Sequence, residues 1–311
     1  MTEREKLSEQ LEQISNLDDM QKIADKLLAL DSKDPLGLYL TWSLLDKDSG
    51  ENRERLEHTD LLQDAYHTMH AAIHGKEIEN PLEDEDLDVF MMIAYSLGLA
   101  LIELGKAEEA LDIARDMLHH DSENFFKSRE LLYASMVALE MWDEILDFQM
   151  DDTVECLATL YTHALALFET EESYADVVEA ILSAATPAPK IPLYILDILE
   201  FEEEEEVTEP FEPDLPGTVD FLIDTWTKTD NRLDILSMFA FPFAYIRNYL
   251  KDKEEIAFLE KLYTEFDLIK KLKTYKKQLE LSAKKGKNEK ALDEEAFLAT
   301  KDLLKYITDQ K

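Results

Sequence analysis

Metal binding and nucleophilic attack fall mainly to histidine and cysteine, and this chain has seven of the first and one of the second. His67, His70 and His74 stand at i, i+3 and i+7, a spacing that a helix gathers onto one face. Three imidazoles so placed could take Zn2+, with Glu77 close by in the sequence. Zinc sites usually draw on more than one element, however, and no matching carboxylate-and-histidine pair stands out elsewhere. His119 and His120 end a predicted helix, where an imidazole interacts well with the helix dipole and needs no metal. No metal ligand and no cofactor are therefore assigned. Cys156 has no motif around it and is expected to be a small buried thiol. As the only cysteine it excludes an internal disulfide and suits a reducing cytoplasm. A Gly-rich phosphate loop, a G-x-S-x-G elbow and an H-E-x-x-H helix are all missing. The 70 acidic residues are too many for one pair to be singled out as acid and base. An enzyme is not expected.

Charge narrows the partners. A formal net charge of −38 keeps a chain soluble and argues against non-specific attachment to nucleic acid or to an anionic membrane. The start, MTEREKLSEQLEQI, is charged and amphipathic rather than an apolar leader. No window approaches the roughly 18 consecutive apolar residues of a membrane span. A cytoplasmic protein with neither membrane nor nucleic acid as partner is the expectation.

That charge is unevenly spread. Residues 200–214 (EFEEEEEVTEPFEPD) hold nine acids and two prolines, the pattern of an exposed loop. The acidic run 202–206 lacks the alternating Asp/Asn positions and the Gly of a calcium loop. Between Lys261 and Lys290, ten lysines stand against four acids. In the same stretch Leu259, Leu262, Phe266, Ile269, Leu272, Tyr275 and Leu279 advance by three or four, which predicts one long amphipathic helix from Glu254. Its lysine face could meet a polyanion, but it carries no arginine. The simpler expectation is that it packs near the protein's own acidic surface. The apolar seam over 259–279 also offers self-association, a coiled-coil-like contact between two copies.

The elements that must carry these residues are helical. Only 7 Gly and 9 Pro occur and alternating β-branched runs are absent, so the expected class is all-α. Residues 91–124 (MMIAYSLGLALIELGKAEEALDIARDMLHHDSEN) form an apolar helix, a Gly-Lys turn and a more polar helix. Leu97, Gly98, Leu101, Gly105 and Ala110 fall where a tetratricopeptide (TPR) unit keeps its small and packing residues, and the stretch resembles that repeat. Gly98 and Ala110 are then expected to face each other across an antiparallel helix pair. Gly105 is expected to take the left-handed conformation that ends the first helix. Aligning Gly98 with Tyr133 and Leu165 gives spacings of 35 and 32 residues, which bracket the repeat's length of about 34. Units of this kind bury their apolar faces only by stacking, so a TPR-like α-solenoid of antiparallel helix pairs is predicted, flanked by non-repeat helices.

The resemblance puts Met92, Tyr95, Leu99, Ile102 and Glu103 along a concave groove, an apolar stripe with a polar edge. In a third unit the same positions are Thr159, Thr162, Ala166, Glu169 and Thr170. Such a stripe holds a partner helix or extended peptide, or else it is filled by the chain's own terminal helices.

Around the repeats, helices are predicted over 3–14, 17–30 (opened by Asn16), 35–46 (Pro35 in its first turn) and 53–74. Further helices span 217–229 and 231–250, with a kink at Pro242, and ALDEEAFLATKDLLKYI closes the chain. The resulting organisation has N-terminal helices in 1–80, a repeat core in 81–199 and an acidic loop in 200–216. The C-terminal part of the array fills 217–253, and the lysine-rich helix and terminal helix fill 254–311.

The segments NFFKSRELLYASMVALEMWDEIL, LYTHALALF and PKIPLYIL resemble the TPR-like region of the suppressor-of-tumorigenicity-seven family and its uncharacterised bacterial relatives. In that family a similar Asn-Pro-X-Val-Pro-X-Tyr-Leu-Leu stretch follows the last helix pair. Pro189, Ile191, Pro192, Tyr194 and Leu196 match it here, and Trp226 in PGTVDFLIDTWTKTDNRLDIL matches a later segment. Ala188 stands in place of the family's Asn and Asp197 in place of its terminal Gly. The likeness covers roughly residues 90–238. It implies a helical-repeat fold and brings no catalytic residue.

The expected function is a non-catalytic protein–protein interaction scaffold that binds a protein or peptide. The alternative is a regulator that senses a peptide or small ligand in the groove. An open cavity of ligand size would favour the second, and a long solvent-facing trough the first.

Overall fold

Caps and left-handed turn residues set the helix limits in the computed structural model, which describes residues 2–11, 14, 16–45, 53–76, 78, 80–200 and 215–308. Among these residues the fold is all-helical, with no strand. The acidic run 202–206 and Glu77 lie outside the described residues. Contacts divide the chain into two units, Met1–Glu140 and Met141–Lys311.

In the first unit the helices are α1 (Glu3–Leu11), α2 (Leu17–Leu30), α3 (Pro35–Ser43), α4 (Arg53–Glu57), α5 (Thr59–Ile73), α6 (Glu85–Glu103), α7 (Ala107–His120) and α8 (Ser128–Ala138). The Asn16 side chain accepts from the Asp19 amide at 2.9 Å and caps α2 as expected. Asp34 does the same for α3, accepting from the Gly37 amide at 2.9 Å and from Arg4 Nε at 2.7 Å. One buried carboxylate thus caps α3 and ties α1 to its start. The helix predicted over 53–74 is two helices, interrupted at His58. There Thr59 Oγ1 donates to the Leu56 carbonyl at 2.8 Å, a side-chain bond that competes with helix continuation.

Gly105, at φ +74°, ends α6. Its amide donates to the Ile102 carbonyl at 2.9 Å and the Lys106 amide to the Leu101 carbonyl at 2.8 Å, the paired bonds of a Schellman turn. Gly98 has a different neighbour from the one expected. A Cβ built there would lie 2.4 and 2.6 Å from the two methyls of Leu131, so the glycine makes room for α8, not for Ala110 on α7. Gly98→Ala should lose about 1 kcal/mol, as overpacking of about 1–3 kcal/mol outweighs the roughly 1 kcal/mol gained in helix propensity. Urea unfolding checks it, and Leu131→Ala in the same chain should relieve the clash and make the two effects non-additive. A Gly98→Ala chain more stable than wild type would refute this contact.

The second unit holds α9 (Trp142–Asp151), α10 (Leu157–Glu169), α11 (Tyr174–Ala185), α12 (Ile191–Ile195), α13 (Leu215–Trp226), α14 (Asp230–Arg247), α15 (Lys253–Glu265), α16 (Ile269–Lys284) and α17 (Glu289–Thr308). α14 is its centre. Leu236, Phe239, Ala240, Phe243, Ala244 and Ile246 are all buried on it, and it packs against α11, α12, α16 and α17. A helix apolar on every side belongs in a core, and α14 runs through Pro242 without stopping.

The long amphipathic helix predicted from Glu254 is two helices. Asp267, at φ +55°, breaks it. The Asp267 amide donates to the Thr264 carbonyl at 3.1 Å and the Leu268 amide to the Tyr263 carbonyl at 2.8 Å, again a Schellman turn. Leu259, Leu272 and Leu279 are buried in the unit's own core, so these seam positions are covered within the chain. Lysines of α16 pair with acids of the flanking helices, Lys271 with Asp302 at 2.5 Å and Lys273 with Glu260 at 2.7 Å. Asp197, which stands in place of the Gly of the resembled family, also occupies the left-handed region at φ +56°.

Candidate functional site

α6 carries the stripe read from the sequence. It packs against α5, α7 and α8, which bury Leu87, Phe90, Met91, Ile93, Ala94, Leu97 and Leu101. Met92, Tyr95, Leu99 and Ile102 remain half-buried, and Glu103 is exposed. Met92 packs on a cluster of Leu7, Ile23, Leu27, Leu36 and Leu40, so the N-terminal helices take up that end of the stripe. The opposite end is extended by Leu104, which is 41% exposed. The stripe residues line none of the three cavities described below or in the second unit.

In α10 the equivalent positions have become core. Thr159, Thr162 and Ala166 are buried, and α13 packs on this helix. Glu169 is held by Arg232, whose Nε donates to Glu169 Oε1 at 2.6 Å. Thr170 turns its hydroxyl back to the Ala166 carbonyl at 2.9 Å. The chain folds its own later helices onto α10, and an open groove there is ruled out by burial. Cys156 is partly exposed rather than buried, and it precedes α10 as part of a capping box with Thr159.

The second feature is a cleft of about 460 Å3 in the first unit, lined by His70, His74, Lys76, Phe90, Asp116, His119 and His120. Four of the chain's seven histidines meet there. They come from the last turns of α5 and α7, which flank α6 and run parallel to each other. His70 Nε2 lies 3.5 Å from Asp116 Oδ2, and Tyr66 donates its hydroxyl to the same oxygen at 2.9 Å. The His70 and His74 rings stand 5.7 Å apart, those of His119 and His120 5.1 Å apart. Phe90 lies 6.3 Å from both His70 and His120, forming the floor between the two helix ends. Burial, and next the neighbouring His119, hold His120 below the usual imidazole range. Burial and then the Asp116 bond push the Tyr66 hydroxyl up, which keeps it a donor. Lys76 is committed elsewhere, to Asp84 at 2.8 Å and Asp86 at 3.2 Å.

His67, grouped with His70 and His74 by spacing, is exposed and does not line the cleft. The partner element that sequence reasoning found missing is Asp116-x-x-x-His120 on α7. Its i, i+4 spacing was legible, but nothing local says that the ends of α5 and α7 meet.

No family model matches the chain, and no curated protein or solved structure matches it significantly.

Proposed function

We propose that the protein is a non-catalytic interaction scaffold that presents α6 to a protein or peptide partner. The observation that carries this is the half-open apolar row of Tyr95, Leu99 and Ile102, continued by exposed Leu104 and edged by Glu103. Burial of the opposite side of α6 makes the row a rigid support, the kind on which an amphipathic helix or extended peptide lays its apolar side chains. A partner with basic flanks suits a chain of net charge −38. The paired packing of α5 to α8 supports a TPR-like stacking of helix pairs, and a cytoplasmic setting fits the single cysteine.

Affinity capture from the native cytoplasm with wild type and with Tyr95→Asp plus Leu99→Asp tests the reading. The double substitution should remove at least one partner while circular dichroism and melting stay unchanged. A partner set identical to that of wild type, with the fold intact, counts against α6 as the docking face.

A further inference from the structure

We infer that His70 on α5 and His74 at its C-cap, with Asp116 and His120 on α7, form a binding site for an imidazole-preferring divalent transition-metal ion. The inference is independent of the scaffold reading, since none of these residues belongs to the α6 stripe. Each helix contributes two groups four residues apart, the spacing that puts both on one face. The fold then sets the two pairs side by side. Asp116 Oδ2 already stands 3.5 Å from His70 Nε2, so the link between helices exists before any ion arrives.

The electrostatics select a cation. α5 and α7 both end at the cleft, and helix C-termini carry partial negative charge. Asp116 adds a full one, while Lys76 is neutralised by Asp84 and Asp86. An anion would meet three negative features there. The donor set then selects the class of cation. Mg2+ and Ca2+ take oxygen shells, whereas one carboxylate among three imidazoles suits Zn2+ and its first-row neighbours.

Coordination requires side-chain rotation. Two imidazoles on one tetrahedral zinc, at Zn–N of about 2.0–2.1 Å, have ring centres about 5 Å apart. The His70 and His74 centres are 5.7 Å apart. Among the described residues no three such groups yet converge on one point, so the ion must draw them in. Tyr66, donating to Asp116 at 2.9 Å, is placed to orient that carboxylate, as outer partners of metal ligands do. The side chains of His70 and Asp116 are 41% and 50% exposed, which leaves an ion a route in.

Calorimetric titration of the full chain with Zn2+ at neutral pH, with excess Mg2+ covering the acidic surface, is the test. One zinc should bind per chain. In His74→Gln plus His120→Gln the affinity should fall by more than about 100-fold, beyond the roughly 10–100-fold cost of losing an outer partner. His74→Gln alone, at an exposed position, guards against misfolding and should weaken binding in the same direction. Co2+ in place of zinc should give the intense visible bands of tetrahedral coordination. Zinc affinity unchanged in both variants, or zinc binding abolished by Mg2+, overturns the proposal.

Discussion

Arg232→Ala is expected to cost about 3 kcal/mol of folding stability. Arg232 is 3% exposed, and three features of its surroundings depend on it. Its Nε donates to Glu169 Oε1 at 2.6 Å, its Nη1 to the Thr225 carbonyl at 2.7 Å, and its guanidinium lies 5.3 Å from the centre of the Trp142 ring. α9, α10, α13 and α14 are thereby joined through one side chain. Removing one partner of a buried pair costs roughly 3–5 kcal/mol, mainly by stranding the other charge. The lower end applies because the Glu169 side chain keeps 25% of its surface exposed. Arg232→Lys should recover only part of the loss, since an ammonium cannot span both acceptors in the planar geometry of a guanidinium. Glu169→Gln should soften the effect of Arg232→Ala, because no charge is then left unpaired. The midpoint of urea unfolding reports all three. A loss below about 1 kcal/mol for Arg232→Ala, typical of an exposed pair, would show that this cluster is not stabilising.

Asp121→Ala should cost about 2–3 kcal/mol. This carboxylate is 2% exposed and organises the connection from α7 to α8. It accepts from the amides of Phe125 at 2.7 Å, Phe126 at 3.1 Å and Ser128 at 3.3 Å, and from the Ser128 hydroxyl at 2.7 Å. Ser128 is fully buried, so its two donors have no water to turn to when the acceptor is lost. Phe125 is exposed and its amide can be rehydrated, which limits the total. Asp121→Asn keeps an acceptor oxygen and should cost about half as much. Thermal melting gives the order, and faster hydrogen exchange at Phe126 and Ser128 should localise the change to this turn. Equal losses for Asn and Ala would mean that the charge, not the acceptor geometry, holds the loop. The substitution also bears on the cleft, because Asp121 follows His120 directly.

The all-helical class was legible from composition, and most helix starts from single residues. Asn16, Pro35 and Gly105 did locally what their chemistry dictates. Misjudged limits have a common cause. His58 and Asp267 interrupt predicted helices without a Gly or Pro to announce it, and hydrophobic spacing carried on through Asp267 because Leu272 and Leu279 face the same core as Leu259. Periodicity records which side is buried. It does not record whether the backbone stays helical in between.

Residue choice along α6 determined that Met92, Tyr95, Leu99 and Ile102 share one face, since helical geometry leaves no alternative. Only the tertiary structure decided how much of that face stays open, with the N-terminal cluster taking Met92 and leaving the other end half exposed. At the equivalent repeat positions of α10, Thr159, Thr162 and Ala166 ended as core within the second unit. His70, His74, Asp116 and His120 were likewise fixed as two i, i+4 pairs by the chain alone. That the pairs belong to one cleft depended on α5 and α7 both packing on α6 with their C-terminal ends together. Spacing within a helix is set by covalent geometry. Proximity between helices is set by which apolar faces find each other, and no short stretch of sequence contains both partners.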